Sequence, residues 1–170
     1  MASELRVDRI VPVNGVASNQ MGGVIQYVQA THTVMTQRFT TTSSSYTASN
    51  YVVTITPKTS SSKILICANL SSHAASDAYI YVRVYNVTAG RYVNSEGGVT
   101  SDAMYESALG GKSQWGMLPV EAIDIPNSTS AQTYKLYFRS NGSANVYTGW
   151  SASAAGTMNF NYMSATEFSA

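Results

Sequence analysis

The chain has little charge of either sign. Asp, Glu, Lys and Arg make up 11% of its 170 residues, and the net charge is +1; an ordinary soluble domain has about 25% charged residues. A chain that binds nucleic acid or an anionic membrane surface through its electric field needs a basic patch, so we expect neither nucleic acid nor a membrane as a partner. Because solubility normally draws on net charge, this neutral composition favours self-association.

Cysteine and long hydrophobic runs are scarce as well. The single cysteine, Cys67, has no partner for an intrachain disulfide, and its strand-like apolar run at residues 64–68 predicts a buried, unreactive side chain. Apolar runs of this length are far shorter than the roughly 18 residues that a membrane span needs. Glu4 and Asp8 interrupt the N-terminal segment where a secretory signal would be apolar, so we expect synthesis in a cytoplasm.

The sequence also lacks the motifs of catalytic, metal and cofactor sites. Its two histidines, His32 and His73, lie among Thr, Ser and Ala and belong to no recognisable metal-ligand motif. No serine lies in a Gly-x-Ser-x-Gly turn, and the glycine pairs lack the spacing that cradles phosphate. Glycan hydrolysis needs two carboxylates about 5 to 9.5 Å apart, and the sequence alone does not determine whether any two lie at that distance. The candidates are Glu96, Asp102, Glu106, Glu121 and Asp124. We therefore expect no cofactor, no metal and no enzymatic activity.

Short β-strands dominate the sequence that remains. Residues 79–85 alternate Tyr or Arg with Ile or Val, which predicts a half-buried strand with its aliphatic side toward a core. Similar segments, rich in β-branched and aromatic residues and bounded by turn formers, lie at 23–33, 37–42, 50–56, 63–71, 114–125, 133–140, 145–148 and 157–168. Residues 101–109 alone have helical potential, and a loop is the alternative there. The pattern predicts an all-β fold, an antiparallel β-sandwich that is jelly-roll-like, over residues 23–170.

Tyrosine is the most abundant aromatic residue, with twelve copies against two tryptophans and four phenylalanines. Tyrosine offers a rigid ring and a hydroxyl group at low entropic cost, which suits contact with carbohydrate or protein. The alternative is structural: Tyr79, Tyr81 and Tyr85 share one side of a strand and would then form cross-strand pairs or a subunit interface. Trp115 and Trp150 are candidates for a sugar-stacking surface, with burial over the core as the alternative.

The first 22 residues differ from the rest in composition. They carry alternating charges, a proline and a glycine turn, and they have too few apolar residues to fold alone. We interpret residues 1–22 as an extended attachment arm that lies on its own body or on a partner. We expect the apolar residues of the arm to contact the surface on which it lies, and its charged residues to fix its register on that surface. The arm residues with these expected roles are Leu5, Arg6, Val7, Asp8, Arg9, Ile10, Val11, Pro12 and Val13.

This arm carries a resemblance to a known class of protein. The segment Ser3-Glu4-Leu5-Arg6-Val7-Asp8-Arg9-Ile10-Val11-Pro12-Val13-Asn14-Gly15 resembles the start of tail-fibre and other virion structural proteins of tailed bacteriophages, which often read Leu-Lys-Val-Asp-x-Ile before a glycine turn. The segments at 23–29, 55–57 and 60–66 are similar to the β-domain that commonly follows in those proteins. The chain departs from a long fibre in that it has no shaft of repeats and no coiled coil.

The resemblance implies a virion protein that forms a homo-oligomer, most simply a trimer, made in the cytoplasm of a bacterial host. Its arm would bind another virion protein, either the capsid or a tail adaptor. A short tail or head fibre whose β-domain contacts a host surface glycan is the first hypothesis. A capsid decoration or cement protein that stabilises the head lattice is the second. A glycan-degrading tailspike is the third, and the missing acid–base signature disfavours it.

Overall fold

The computed structural model describes residues 23–31, 38–75, 78–93, 103–105, 114–142, 144–148 and 161–169. The predicted attachment arm at residues 1–22 and Trp150 lie outside the described residues. Within the described ranges every regular element is a β-strand, and no helix there is long and apolar enough to span a bilayer.

The described chain forms eleven strands, and all of their pairings are antiparallel. They are β1 (Val24–Gln29), β2 (Phe39–Thr41), β3 (Thr47–Ile55), β4 (Lys63–Ala74), β5 (Ile80–Asn86), β6 (Arg91–Tyr92), β7 (Ala103–Tyr105), β8 (Gln114–Asp124), β9 (Gln132–Ser140), β10 (Val146–Thr148) and β11 (Tyr162–Phe168).

The strands form two sheets. In the first sheet β4 is central: β8 pairs along one edge, while β11 and β10 pair with successive halves of the other edge. Beyond them β1 pairs with β11, and β2 pairs with β10. In the second sheet β3, β9 and β5 lie side by side, and β6 and β7 pair with opposite ends of the free edge of β5.

This pairing is that of a jelly roll. Strands that lie end to end count as one position, namely β1 with β2, β6 with β7, and β10 with β11; the eleven strands then fill eight positions. The sheets read 1-8-3-6 and 2-7-4-5, so the first position pairs with the eighth, the second with the seventh, the third with the sixth and the fourth with the fifth. A long antiparallel hairpin wrapped into a two-sheet barrel produces this order. The predicted antiparallel, jelly-roll-like sandwich is therefore confirmed.

The core lies between the two sheets and is built by strict alternation. Along β5, Ile80, Val82 and Val84 are buried, whereas the tyrosine and arginine residues between them are half-buried. The same alternation holds along β4 and β9. Burying a Val, Leu or Ile side chain contributes about 1.5–3 kcal/mol, so the inward rows supply the main stabilisation of the sandwich.

Glu167 fixes one end of the sandwich although it is fully buried. Its carboxylate accepts hydrogen bonds from the Ser62 hydroxyl at 2.6 Å, from the Lys58 backbone N–H at 2.7 Å and from the Gln26 amide at 2.5 Å. Burial by itself raises the pKa of Glu167, but these hydrogen bonds outweigh it and hold the pKa below its ordinary value. The side chain thereby joins β11, β1 and the turn between β3 and β4.

Two sequence-based expectations are wrong. Residues 103–105, within the segment with helical potential, form β7 and pair with β5, because the free edge of β5 offers backbone partners that local propensity cannot register. Cys67 is half-buried and alternates with inward Ile66 and Ala68, so its side chain is on the outer side of the first sheet and not in the core. Burial and the neighbouring Glu121 carboxylate raise the pKa of its thiol.

Candidate functional site

The outer surface of the second sheet pairs tyrosine with a cation three times in succession. Between β5 and β9, Tyr81 lies opposite Arg139, Arg83 opposite Tyr137, and Tyr85 opposite Lys135. Directly opposed residues on one side of an antiparallel pair have Cβ atoms about 4.5–5.5 Å apart, so each pair is in contact range. With the neighbouring Tyr46 and Tyr92 we call this surface the tyrosine–cation face.

Guanidinium groups lie over the tyrosine rings of this face. The Arg139 guanidinium carbon lies 3.7 Å from the centroid of the Tyr81 ring and 5.4 Å from that of Tyr46. The guanidinium carbon of Arg83 lies 4.8 Å from the centroid of Tyr46 and 5.3 Å from that of Tyr92. All four distances fall within the roughly 6 Å range of cation–π attraction, so the contacts link Tyr81 to Tyr92 across three strands and the segment before β3.

Three tyrosines cluster at one end of the face. The ring centroids of Tyr85 and Tyr137 are 4.8 Å apart, those of Tyr85 and Tyr92 are 4.9 Å apart, and those of Tyr92 and Tyr137 are 5.9 Å apart. The two pairs that involve Tyr92 are edge-on, with interplanar angles of 74° and 84°. These distances and angles are those of favourable aromatic pairs. Each ring remains half-buried and so keeps part of its surface in solvent.

Tyr92 is held in place by an ion pair between a buried carboxylate and an exposed guanidinium group. Its neighbour Arg91 pairs with Asp124 of β8 at 2.5 Å, and that carboxylate also accepts hydrogen bonds from Asn86 at 2.9 Å and from the Tyr134 hydroxyl at 3.0 Å. Burial, followed by the nearby Asp124 charge, raises the pKa of Tyr134 far above its ordinary value, so its hydroxyl stays protonated and donates. The two-residue strand β6 is thus anchored to the other sheet.

A β-bulge in β3 shapes the opposite border of the face. Ala48 pairs with Tyr137 and Val52 with Lys135, so three residues of β3 oppose one residue of β9. The buried Ser49 fills this irregularity: its hydroxyl donates to the Leu136 carbonyl at 2.7 Å and accepts from the Tyr51 N–H at 3.1 Å. Such bulges bend and twist a strand, and this one lies near the start of β3, just after Tyr46.

The structure brings only some of the predicted site residues together. Tyr81 and Tyr85 lie on the tyrosine–cation face, and Tyr79 lies just before β5 on the same side of the alternation, half-buried. Trp115 belongs to β8 of the first sheet, opposite His73, and is therefore in a different sheet from the tyrosines. Trp150 and the arm residues lie outside the described residues.

Sequence reasoning missed half of the face. The alternation Lys135, Tyr137, Arg139 in β9 was a readable signal, because these residues mirror the Tyr–Arg–Tyr pattern of β5. Tyr46 and Tyr92 gave no such signal. Their positions depend on the bulge in β3 and on the pairing of a two-residue strand, and both are decided by distant parts of the chain.

The first sheet presents a different outer surface, with several exposed apolar side chains. In β1, which follows the arm directly, Val24 is 61% exposed and Tyr27 57% exposed. Tyr162 of β11 and Met117 of β8 are 40% and 39% exposed. Where such side chains adjoin one another, they mark contact surfaces.

The described carboxylates are not arranged for acid–base catalysis. Glu121 and Asp124 are close in β8, but Glu121 is exposed on the outer side of the sheet whereas Asp124 is buried and bound to Arg91. Glu167 is committed to its own hydrogen bonds. Within the described ranges, no group of three or more His, Cys, Asp or Glu residues is placed to hold a metal ion. The chemistry that the tyrosine–cation face offers is that of binding: aromatic stacking, hydrogen bonding and attraction of anions.

No family model matches the chain, and no curated protein matches it significantly. The chain is similar to solved structures of VP2 from infectious bursal disease virus. The VP2 subviral particle shares 11% identity with a TM-score of 0.45, and the match covers 85% of this chain and 37% of VP2. T=1 particles of a mutant VP2 give 11% identity and a TM-score of 0.44, with 99% and 40% of the two chains covered. The chain thus spans about two fifths of the VP2 chains that it matches.

Proposed function

We propose that the chain is a non-enzymatic structural protein of a phage virion, a short tail or head fibre whose jelly-roll domain contacts a host surface glycan. The observation that carries the recognition part is the run of three cross-strand tyrosine–cation pairs between β5 and β9. The virion part is supported by the resemblance of the N-terminal segment to phage tail-fibre proteins. In this proposal residues 1–22 bind a capsid or tail-adaptor protein, and the domain assembles as a homotrimer.

The tyrosine–cation face suits a saccharide for three physical reasons. Tyrosine rings stack on the apolar side of a sugar ring, and their hydroxyls exchange hydrogen bonds with sugar hydroxyls. Guanidinium groups already fixed over rings lose less entropy when they donate to a ligand. The face is also rigid, because its side chains stand on paired strands and its borders are fixed by the Arg91–Asp124 ion pair and the Ser49 bulge.

Binding of the whole chain to a glycan array and to host cells tests this proposal. Tyr81→Ala and Tyr85→Ala each remove one ring from the face, and we expect each to weaken binding roughly two- to tenfold, the value of about 0.5–1.5 kcal/mol for one aromatic contact. Tyr27→Ala is the matched control, because Tyr27 is 57% exposed on the other sheet. Equal binding by all three variants and the wild type would overturn the role of the face.

The second candidate function is capsid decoration. The exposed apolar side chains of β1 and of the outer surface of the first sheet favour it, because β1 follows residues 1–22 in the sequence and these side chains would add to their contact with a lattice. Copy number separates the two functions. Quantitative mass spectrometry of purified particles should give about a dozen to a few dozen copies for a fibre, and several hundred for a lattice-wide decoration protein.

A further inference from the structure

We infer that the saccharide bound by the tyrosine–cation face is acidic, and that its anionic group is received by Lys135 beside the cluster of Tyr85, Tyr92 and Tyr137. This inference rests on the proposed glycan recognition and adds the chemical class of the ligand and the residues that select it. The ligand is a sugar polymer whose repeating unit carries an anionic group, either a carboxylate or a phosphate.

Lys135 lies next to two tyrosines of the cluster. It lies directly opposite Tyr85 on the neighbouring strand and two residues before Tyr137 on its own strand, so it borders both rings on the same side of the sheet. Lys135 is half-buried and forms no ion pair with any described residue. A lysine with its stem along aromatic rings keeps its ammonium group at the solvent boundary, where an anionic ligand reaches it.

The cationic side chains of the tyrosine–cation face and the described acidic side chains lie on different parts of the sandwich. Arg83, Lys135 and Arg139 stand on the outer side of the second sheet. The three described carboxylates lie elsewhere: Glu121 is exposed on the first sheet, and Asp124 and Glu167 are buried within the sandwich. None of these three carboxylates lies beside Lys135, so among the described residues no carboxylate on this face neutralises the Lys135 ammonium group.

The two tyrosine rings nearest to Lys135 are arranged to stack against a ligand. Tyr85 and Tyr137 are inclined to each other by 42° with centroids 4.8 Å apart, so they form an aromatic surface at the register position next to Lys135. A saccharide ring has an apolar side that stacks on such a surface while a substituent on its edge reaches outward. An acidic sugar satisfies both requirements at once, since its ring meets the tyrosines and its anion meets Lys135.

The test compares three polymers on the full chain: polygalacturonate, its carboxyl-reduced neutral form, and poly(glycerol phosphate). We expect the intact chain to bind at least one acidic polymer several-fold more tightly than the neutral polymer, with an affinity that falls as salt is raised. The two acidic polymers distinguish a carboxylate from a phosphate as the anion received. Lys135→Gln should weaken acidic-polymer binding roughly two- to fivefold at low salt, as expected for a partly exposed ion pair, and should reduce its salt dependence.

Two controls keep the outcome interpretable. Lys58→Gln removes an exposed lysine from the turn before β4 and should leave binding unchanged. Tyr85→Phe keeps the ring and should retain binding, whereas Tyr85→Ala should weaken it roughly two- to tenfold. Equal binding of acidic and neutral polymers, or unchanged binding by Lys135→Gln, would overturn the acidic class while glycan recognition stood. Absence of binding to any saccharide, on the polymers and on the glycan array, would overturn the proposed glycan recognition itself.

Discussion

Arg139 lies over Tyr81, with its guanidinium carbon 3.7 Å from the ring centroid, although the two residues belong to strands that are far apart in the sequence. The β5–β9 pairing that joins them also aligns Arg83 with Tyr137 and Tyr85 with Lys135. A shift of β9 by one residue would turn Lys135, Tyr137 and Arg139 toward the core, so burial of the inward side chains of β9 also fixes the composition of the outer face.

A double-mutant cycle should detect the contact between these two residues. We expect Tyr81→Ala and Arg139→Ala to show a coupling energy of about 0.5–1 kcal/mol in urea unfolding, the usual value of an exposed cation–π contact. A cycle of Arg139→Ala with Tyr85→Ala is the control, because Tyr85 lies four residues further along β5 and should give additive effects. Equal coupling in the two cycles would refute the specific contact.

Replacing the buried Glu167 should lower stability and change its dependence on pH. Glu167→Gln removes the charge that accepts hydrogen bonds from Ser62 and Gln26, and we expect a loss of about 2–4 kcal/mol at neutral pH. Glu121→Gln, at an exposed position, should change stability by less than about 0.5 kcal/mol.

The pH effect of Glu167 has a defined sign. Because its pKa in the folded state is lower than its ordinary value of 4.5, its contribution to stability is complete above that value and is lost as the pH falls through the folded-state pKa. The free energy of unfolding of the wild type, measured with urea, should therefore fall as the pH is lowered from about 5 to 3. The Glu167→Gln variant should show a flatter profile in that window, and a profile as steep as that of the wild type would contradict this role.

The hydroxyl of Tyr134 should matter for stability, whereas that of Tyr137 should not. Tyr134→Phe leaves the buried Asp124 carboxylate without one of its donors, which should cost about 1–3 kcal/mol of unfolding free energy. Tyr137→Phe alters a half-buried ring three residues later on the opposite side of β9 and serves as the matched control. A similar loss in the two variants would mean that the Asp124 cluster does not depend on this hydrogen bond.

Deleting the attachment arm should separate folding from assembly. A chain that begins at Gly23 keeps every described strand, so we expect cooperative unfolding with an unchanged β-rich circular dichroism spectrum. We expect the same chain to be absent from purified particles, because the arm is proposed to make the docking contacts. Loss of cooperative unfolding would show instead that residues 1–22 belong to the core, and normal incorporation would remove the docking role.

Local pattern was sufficient to predict the fold class. The alternation in residues 79–85 placed Ile80, Val82 and Val84 in the core, and turn formers separated the strands with spacings typical of a sandwich. Pairing was not predictable in the same way. The segment at 101–109 has the local composition of a short helix, yet its centre is a strand because β5 has a free edge.

For the candidate site, the sequence by itself determined that tyrosine and cationic residues alternate on the solvent side of single strands, since a side-chain period of two follows from the backbone. It also determined a neutral, strand-rich chain with a distinct N-terminal segment. Only the tertiary structure decided that β5 and β9 are neighbours in register, that the ion pair of Arg91 with the buried Asp124 holds Tyr92 beside Tyr85, and that Trp115 is in the other sheet. Contacts between distant strands depend on which sheet edges meet, and that depends on closing the whole hydrophobic core at once.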